Sequence, residues 1–206
     1  MKTIASVLLA VFAALTWSIP ASAAGDEGPS PVAVQNRMHT MRNEYAVWVG
    51  VLPMDAFTKG LTFTGAYTIH FDDLFAWEVA QFTYSVGIDT RLKGELESLP
   101  QPVGPTPFET VRYFATSSFV FKPVYGKLAV LNRALVSHEW FFVAGAGAGR
   151  LSITTRPVID AGLGMRIYAG RHVSLRLDVR DYFFFNADDI QNEVWVALGL
   201  SLGIGG

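Results

Sequence analysis

In the stretch 173–180, Arg176, Asp178 and Arg180 fall on one parity, while Val173, Leu175, Leu177 and Val179 fall on the other. Successive residues of a strand face opposite ways, so a strand here would carry all its charge on a single face. The same phase, followed through the chain, collects Glu44, Glu78, Arg112, Glu139, Asp160 and Arg166. Acids and arginines held to one face can pair through charge-assisted, often bidentate bonds, which satisfy groups shut away from water. Two uses fit this pattern: a salt-bridged filling of a narrow enclosure, or a polar path that passes small solutes. Eight strands enclose a space just wide enough for side chains to fill, which favours the filling.

No catalytic centre is expected. His39, His70, His138 and His172 are scattered and never take the H-E-x-x-H spacing, so neither a metal site nor a cofactor is expected. Ser137 and His138 are adjacent, and adjacent strand residues point apart, which makes them a poor nucleophile and base. Gly145 to Gly149 alternates glycine with alanine but precedes no helix, so it does not cradle phosphate. The chain has no cysteine, which removes disulfides, thiolate sites and cysteine nucleophiles.

The elements that would position these charges are strands. Eight segments alternate with period two, near 43–52, 58–71, 75–88, 109–122, 135–148, 156–169, 173–183 and 192–204. The last is the most regular: Val194, Val196, Leu198, Leu200, Leu202 and Ile204 oppose Trp195, Ala197, Gly199, Ser201 and Gly203. Connections alternate between tight turns, at 72–74 and 170–172, and longer loops, at 87–107 and 184–191. Within the first loop, Leu92, Leu96 and Leu99 recur at helical spacing, which predicts a short helix over 89–99. The apolar stretch 123–133 falls on the turn side yet is long, and carries either a strand extension or a short interfacial element.

The N-terminus sets the compartment. Lys2, the apolar run 4–15 and the small residues around Ala21 and Ala23 make a secretory signal over 1–23. A flexible periplasmic segment over 24–42 then leads into one barrel domain over 43–206. Loss of Lys2 with the signal moves the formal charge from -2 to -3, so nucleic acid is not an expected partner. No later run is long enough for a spanning helix, so membrane insertion would use strands. Aromatic residues on the outward phase include Tyr45, Phe71, Phe75, Trp77, Tyr113, Phe119, Phe121, Trp140 and Phe142. Rings at two levels suit the girdles of a membrane barrel. Small residues dominate the inward phase, Ala46, Gly50, Ala66, Ala80, Gly145, Gly147, Gly162, Gly164, Gly199 and Gly203 among them.

The segments Val34-Gln35-Asn36-Arg37, Gly50-Val51-Leu52-Pro53-Met54-Asp55 and Ala76-Trp77-Glu78-Val79-Ala80 carry a family resemblance. So do Asp89-Thr90 with Leu92-Lys93, Lys122-Pro123-Val124-Tyr125-Gly126-Lys127-Leu128, and the pair Gly145 and Gly147. Together they resemble the outer membrane beta-barrel domain proteins of myxobacteria and related delta-proteobacteria, and more broadly the small OmpA/OmpX-like barrels. The resemblance implies an all-β, eight-stranded, antiparallel up-and-down transmembrane barrel in the cell outer membrane of a Gram-negative bacterium. It implies no catalytic residues. The chain departs from many such barrels in ending Ile204-Gly205-Gly206 rather than on Phe. The expected partners are outer-membrane lipids, lipopolysaccharide and, during biogenesis, the barrel assembly machinery, with the protein a monomer. The function expected is structural or surface-interacting and non-enzymatic. A narrow gated pore is the alternative, and a lipid A-modifying enzyme a lesser one.

Overall fold

The computed structural model describes residues 41–54, 58–89, 109–130, 134–170, 172–186 and 190–205. The signal segment, nearly all of the lead-in and the 89–99 helix expected in the long loop lie outside the described residues, apart from Asp89.

Eight strands follow one another: β1 (Asn43–Pro53), β2 (Thr58–His70), β3 (Phe75–Asp89), β4 (Val111–Val130), β5 (Ala134–Leu151), β6 (Thr155–Tyr168), β7 (Val173–Phe185) and β8 (Ile190–Ile204). Each pairs antiparallel with its neighbours in sequence, and β1 pairs with β8 to close the barrel. The closing register sets Val47 opposite Leu200 and Trp48 opposite Gly199. Closure removes every sheet edge, so each strand finds backbone partners on both sides. The alternation that opposes β-branched and aromatic residues to small ones becomes an outer and an inner wall. Val47, Leu198 and Leu200 are more than half exposed, whereas Trp48, Trp195 and Ala197 are buried. All nine aromatics expected on the outside are there.

The barrel has two unlike ends. At one, tight turns join β2 to β3 and β6 to β7, and both β1 and β8 have their outer termini there. Asp72 shapes the first turn by accepting the backbone N–H groups of Leu74 at 2.8 Å and Phe75 at 2.6 Å. At the other end β3 finishes at Asp89 and β4 begins at Val111. The last loop there is shorter than expected, because β7 runs on to Phe185 and β8 begins at Ile190.

Irregularities in β3 and β4 account for the departures from simple alternation. The registers shift between Glu78 and Gln81, which puts an extra residue into β3. Past this bulge the parity inverts: Ala80, expected inside, is exposed, and Gln81 is buried. A second shift, between Val111 and Tyr113, expels Arg112 from the lumen phase. Val111 is buried and Arg112 exposed, so Arg112 does not share the interior with the other charges. The third lies between Phe121 and Val124 and contains Pro123, which has no N–H to give a ladder. Beyond it β4 continues to Val130 and β5 begins at Ala134. Of the two alternatives for the 123–133 stretch, the strand extension is therefore the one present.

Candidate functional site

The lumen is filled in two layers. Toward the loop end, Trp48, Leu52, Val111, Phe114, Leu151, Val158, Tyr182, Phe184 and Trp195 form one apolar cluster. The Phe114 ring stands 4.5 Å from Tyr182 and 5.9 Å from Phe184, centroid to centroid. Tyr182 also meets Trp195 at 6.2 Å, and Trp195 gives its indole N–H to Thr62 at 2.8 Å. Buried polar handles are thus satisfied inside an otherwise greasy layer.

Toward the turn end the filling is ionic. Glu44 accepts bonds from Arg166 at 2.6 Å and Arg176 at 2.9 Å, and pairs with His70 at 2.7 Å. Arg166 reaches on to Glu139 at 3.3 Å, which Tyr168 also contacts at 3.3 Å. Deeper in, Arg180 donates to Glu78 at 2.7 and 3.1 Å and to Gln81. Asp178 joins the two groups, because Arg176 and Arg180 each donate to its Oδ1 at 3.0 Å. Asp160 accepts from Ser118 at 3.2 Å and lies 3.9 Å from Arg180. Eight of the sequence-derived candidates, Glu44, Glu78, Glu139, Asp160, Arg166, Arg176, Asp178 and Arg180, are buried in this one network.

Aromatic rings hold the network in place. The Arg176 guanidinium lies 4.6 Å from the Trp48 ring centre and 4.7 Å from that of Phe141. Such cation–π contacts gain strength where water is excluded. Space for both rings comes from the inner-wall glycines. A Cβ on Gly199 would stand 2.3 Å from Trp48 Cδ1, and one on Gly164 would stand 2.2 Å from Phe141 Cζ. At Gly164 and Gly199 the glycine face visible in the sequence is therefore the floor under large side chains that cross the lumen.

Sequence reasoning missed Tyr168 and Ser118, and with them Lys122, Gln81 and Trp48. Lys122 shares the parity of Ser118 and Val120 and is buried, its ammonium 3.0 Å from His70 Nδ1 and donating to the Asp72 carbonyl at 2.9 Å. Its parity made it legible. Gln81 was hidden by the β3 bulge, which brings Glu78 and Gln81 to the same guanidinium. Trp48 carried no local signal, because its partners Asp178 and Arg176 lie on β7, beyond β8.

At the turn end a pocket of about 560 Å³ opens over this layer, lined in part by Arg42, His70, Lys122, Glu139 and Tyr168. At the loop end, Glu109 accepts from the Thr154 hydroxyl at 2.6 Å and lies 3.5 Å from Arg156. That hydrogen bond, with the Arg156 charge, holds the Glu109 carboxyl below the usual carboxylate range. The arrangement can brace the wall from within. Among the described residues, no group of three or more metal-ligating side chains comes together.

No protein-family model matches this chain, and no curated protein matches it. Among solved structures it is similar to Neisserial surface protein A, at 8% identity over 79% of this chain and 96% of that one, with a TM-score of 0.44. It is similar to the outer membrane enzyme PagL at 14% identity, over 78% and 99%, with a TM-score of 0.45. It is also similar to Ail, the attachment invasion locus protein of Yersinia pestis, at 12% identity, over 79% and 96%, with a TM-score of 0.39.

Proposed function

We propose that this protein is a sealed, non-enzymatic barrel of the outer membrane, with a structural or surface-interaction role. The turn end, where β1 begins and β8 finishes, faces the periplasm, and the opposite end of the barrel faces outward. One observation carries the proposal: the barrel is inside out relative to a water-soluble one. Its outer wall exposes Val47, Phe63, Phe82, Leu198 and Leu200, while Glu44, Glu78, Asp160, Arg176 and Arg180 are buried within. Contiguous exposed apolar surface on this scale requires a covering, and a lipid bilayer provides one around the whole circumference.

The sealed state follows from the two layers. An ion would have to displace the Trp48, Tyr182 and Trp195 cluster and also break the shared bonds at Asp178. The charged pocket at the turn end leads into the ionic layer, which is the feature a gated pore would use. Cell fractionation tests the location. The protein is expected in the outer-membrane pellet and resistant to extraction without detergent. Its recovery in a detergent-free soluble fraction would overturn the proposal.

A further inference from the structure

The β4 bulge that expels Arg112 from the lumen places it on the outer wall, beside Arg150. Both are exposed, and the register sets Tyr113 directly opposite Arg150. Arg150 donates to the Thr155 hydroxyl at 3.0 Å, and among the described residues no carboxylate forms a salt bridge with either arginine. Two neighbouring guanidinium groups with no counter-charge among the described residues attract an anion.

Their height on the barrel says which anion. Tyr113 and Phe121 are exposed on the same face of β4, eight residues apart. At a rise of ~3.4 Å per residue and a tilt of ~40°, they stand roughly 20 Å apart along the barrel axis, close to the height of an outer-membrane apolar band. Arg112 and Arg150 lie at the loop-side boundary of that band, where headgroups begin. Below them the outward residues are small: Ala115 faces Ala148 across β4 and β5, and Ala146 follows. The wall is therefore recessed along a line running from the two arginines toward the membrane centre.

We infer that Arg112 and Arg150 form a headgroup site for a phosphorylated glycolipid of the outer leaflet, with an acyl chain lying along the Ala115, Ala148 and Ala146 recess. Each guanidinium donates charge-assisted bonds to phosphate oxygens, a pairing that its planar fork suits. The inference rests on the outer-membrane location proposed above, with the loop end outward. It gives the arginine excluded from the lumen a partner.

Native mass spectrometry of the folded full-length barrel, released from neutral detergent with added lipid A, tests this. One lipid A is expected to stay bound. R112Q/R150Q should retain it roughly ten-fold less well. Lipid A stripped of its phosphates should be lost from the unsubstituted protein too. Equal retention by the double variant, or equal retention of the dephosphorylated lipid, would overturn the site. Equal retention of phosphatidylglycerol would overturn the assignment to a glycolipid. Both proteins are first checked for insertion into vesicles. Failure of the unsubstituted protein to insert would count against the membrane location itself, whereas insertion with unchanged lipid retention counts against the site alone.

Discussion

Trp48 on β1 donates its indole N–H to Asp178 on β7 at 3.0 Å, reaching past β8. Its ring meanwhile packs 6.4 Å from Trp195 and carries the Arg176 guanidinium. One side chain thus belongs to both layers of the filling, and Gly199 leaves the room in which it lies. A Cβ at position 199 must push Trp48 out of that place. G199A should destabilise the barrel by about 1–3 kcal/mol, as overpacking does. In a W48A background the same change should cost less, because the ring is gone, while the Val47 carbonyl oxygen, 2.5 Å from the added Cβ, keeps part of the cost. Urea unfolding of the four proteins of this cycle measures the coupling.

Glu44 is fully buried and bonds to His70, Arg166 and Arg176. E44Q leaves Arg166 and Arg176 without their shared carboxylate. Breaking a buried ionic network from one side costs about 3–5 kcal/mol. Exposed Arg112 provides the contrast: R112Q should fall within about 0.5 kcal/mol of the unsubstituted protein. Comparable losses for the two would mean that Arg112 belongs to the interior after all.

Gln81 accepts from Arg180 and donates to the Tyr182 hydroxyl at 2.9 Å. Q81L removes both bonds and strands part of a buried guanidinium, at a cost of about 1–3 kcal/mol. Swapping exposed Ala80 for Leu should be close to neutral in a bilayer, since the bulge has turned it outward. If A80L proves as costly as Q81L in denaturant titration, the bulge is misplaced.

The outer wall makes its own prediction. Leu198 is exposed midway along β8, so L198R should cost about 2–4 kcal/mol in vesicles. Ile153, exposed in the short connection after β5, should take an arginine with little effect. Equal tolerance at both sites would remove the lipid-facing assignment of β8.

How much of this was legible in the sequence depended on parity. Wherever a strand is regular, as from Glu193 to Ile204, inside and outside follow from residue number alone. The same rule found eight of the buried charges and would have found Lys122. It failed at Ala80, Gln81 and Arg112, because an extra residue in a strand inverts the phase and carries no strong local signature. Pro123 was the exception, a bulge residue whose chemistry announces it, yet the stretch beyond it still left a strand extension and a short interfacial element both open. The sharing of Asp178 by Arg176 and Arg180, and the cover that Trp48 gives Arg176 and Trp195 gives Arg180, depended on register between distant strands. No local pattern encodes that.

A closed lumen has an electrical signature. Planar-bilayer recording tests it most directly, using the full-length protein incorporated at single-molecule density. The filled interior predicts no steady current steps from the unsubstituted barrel. Steady single-channel currents that disappear or change selectivity in R176A or R180A would contradict the sealed lumen and make the ionic layer a conduction path.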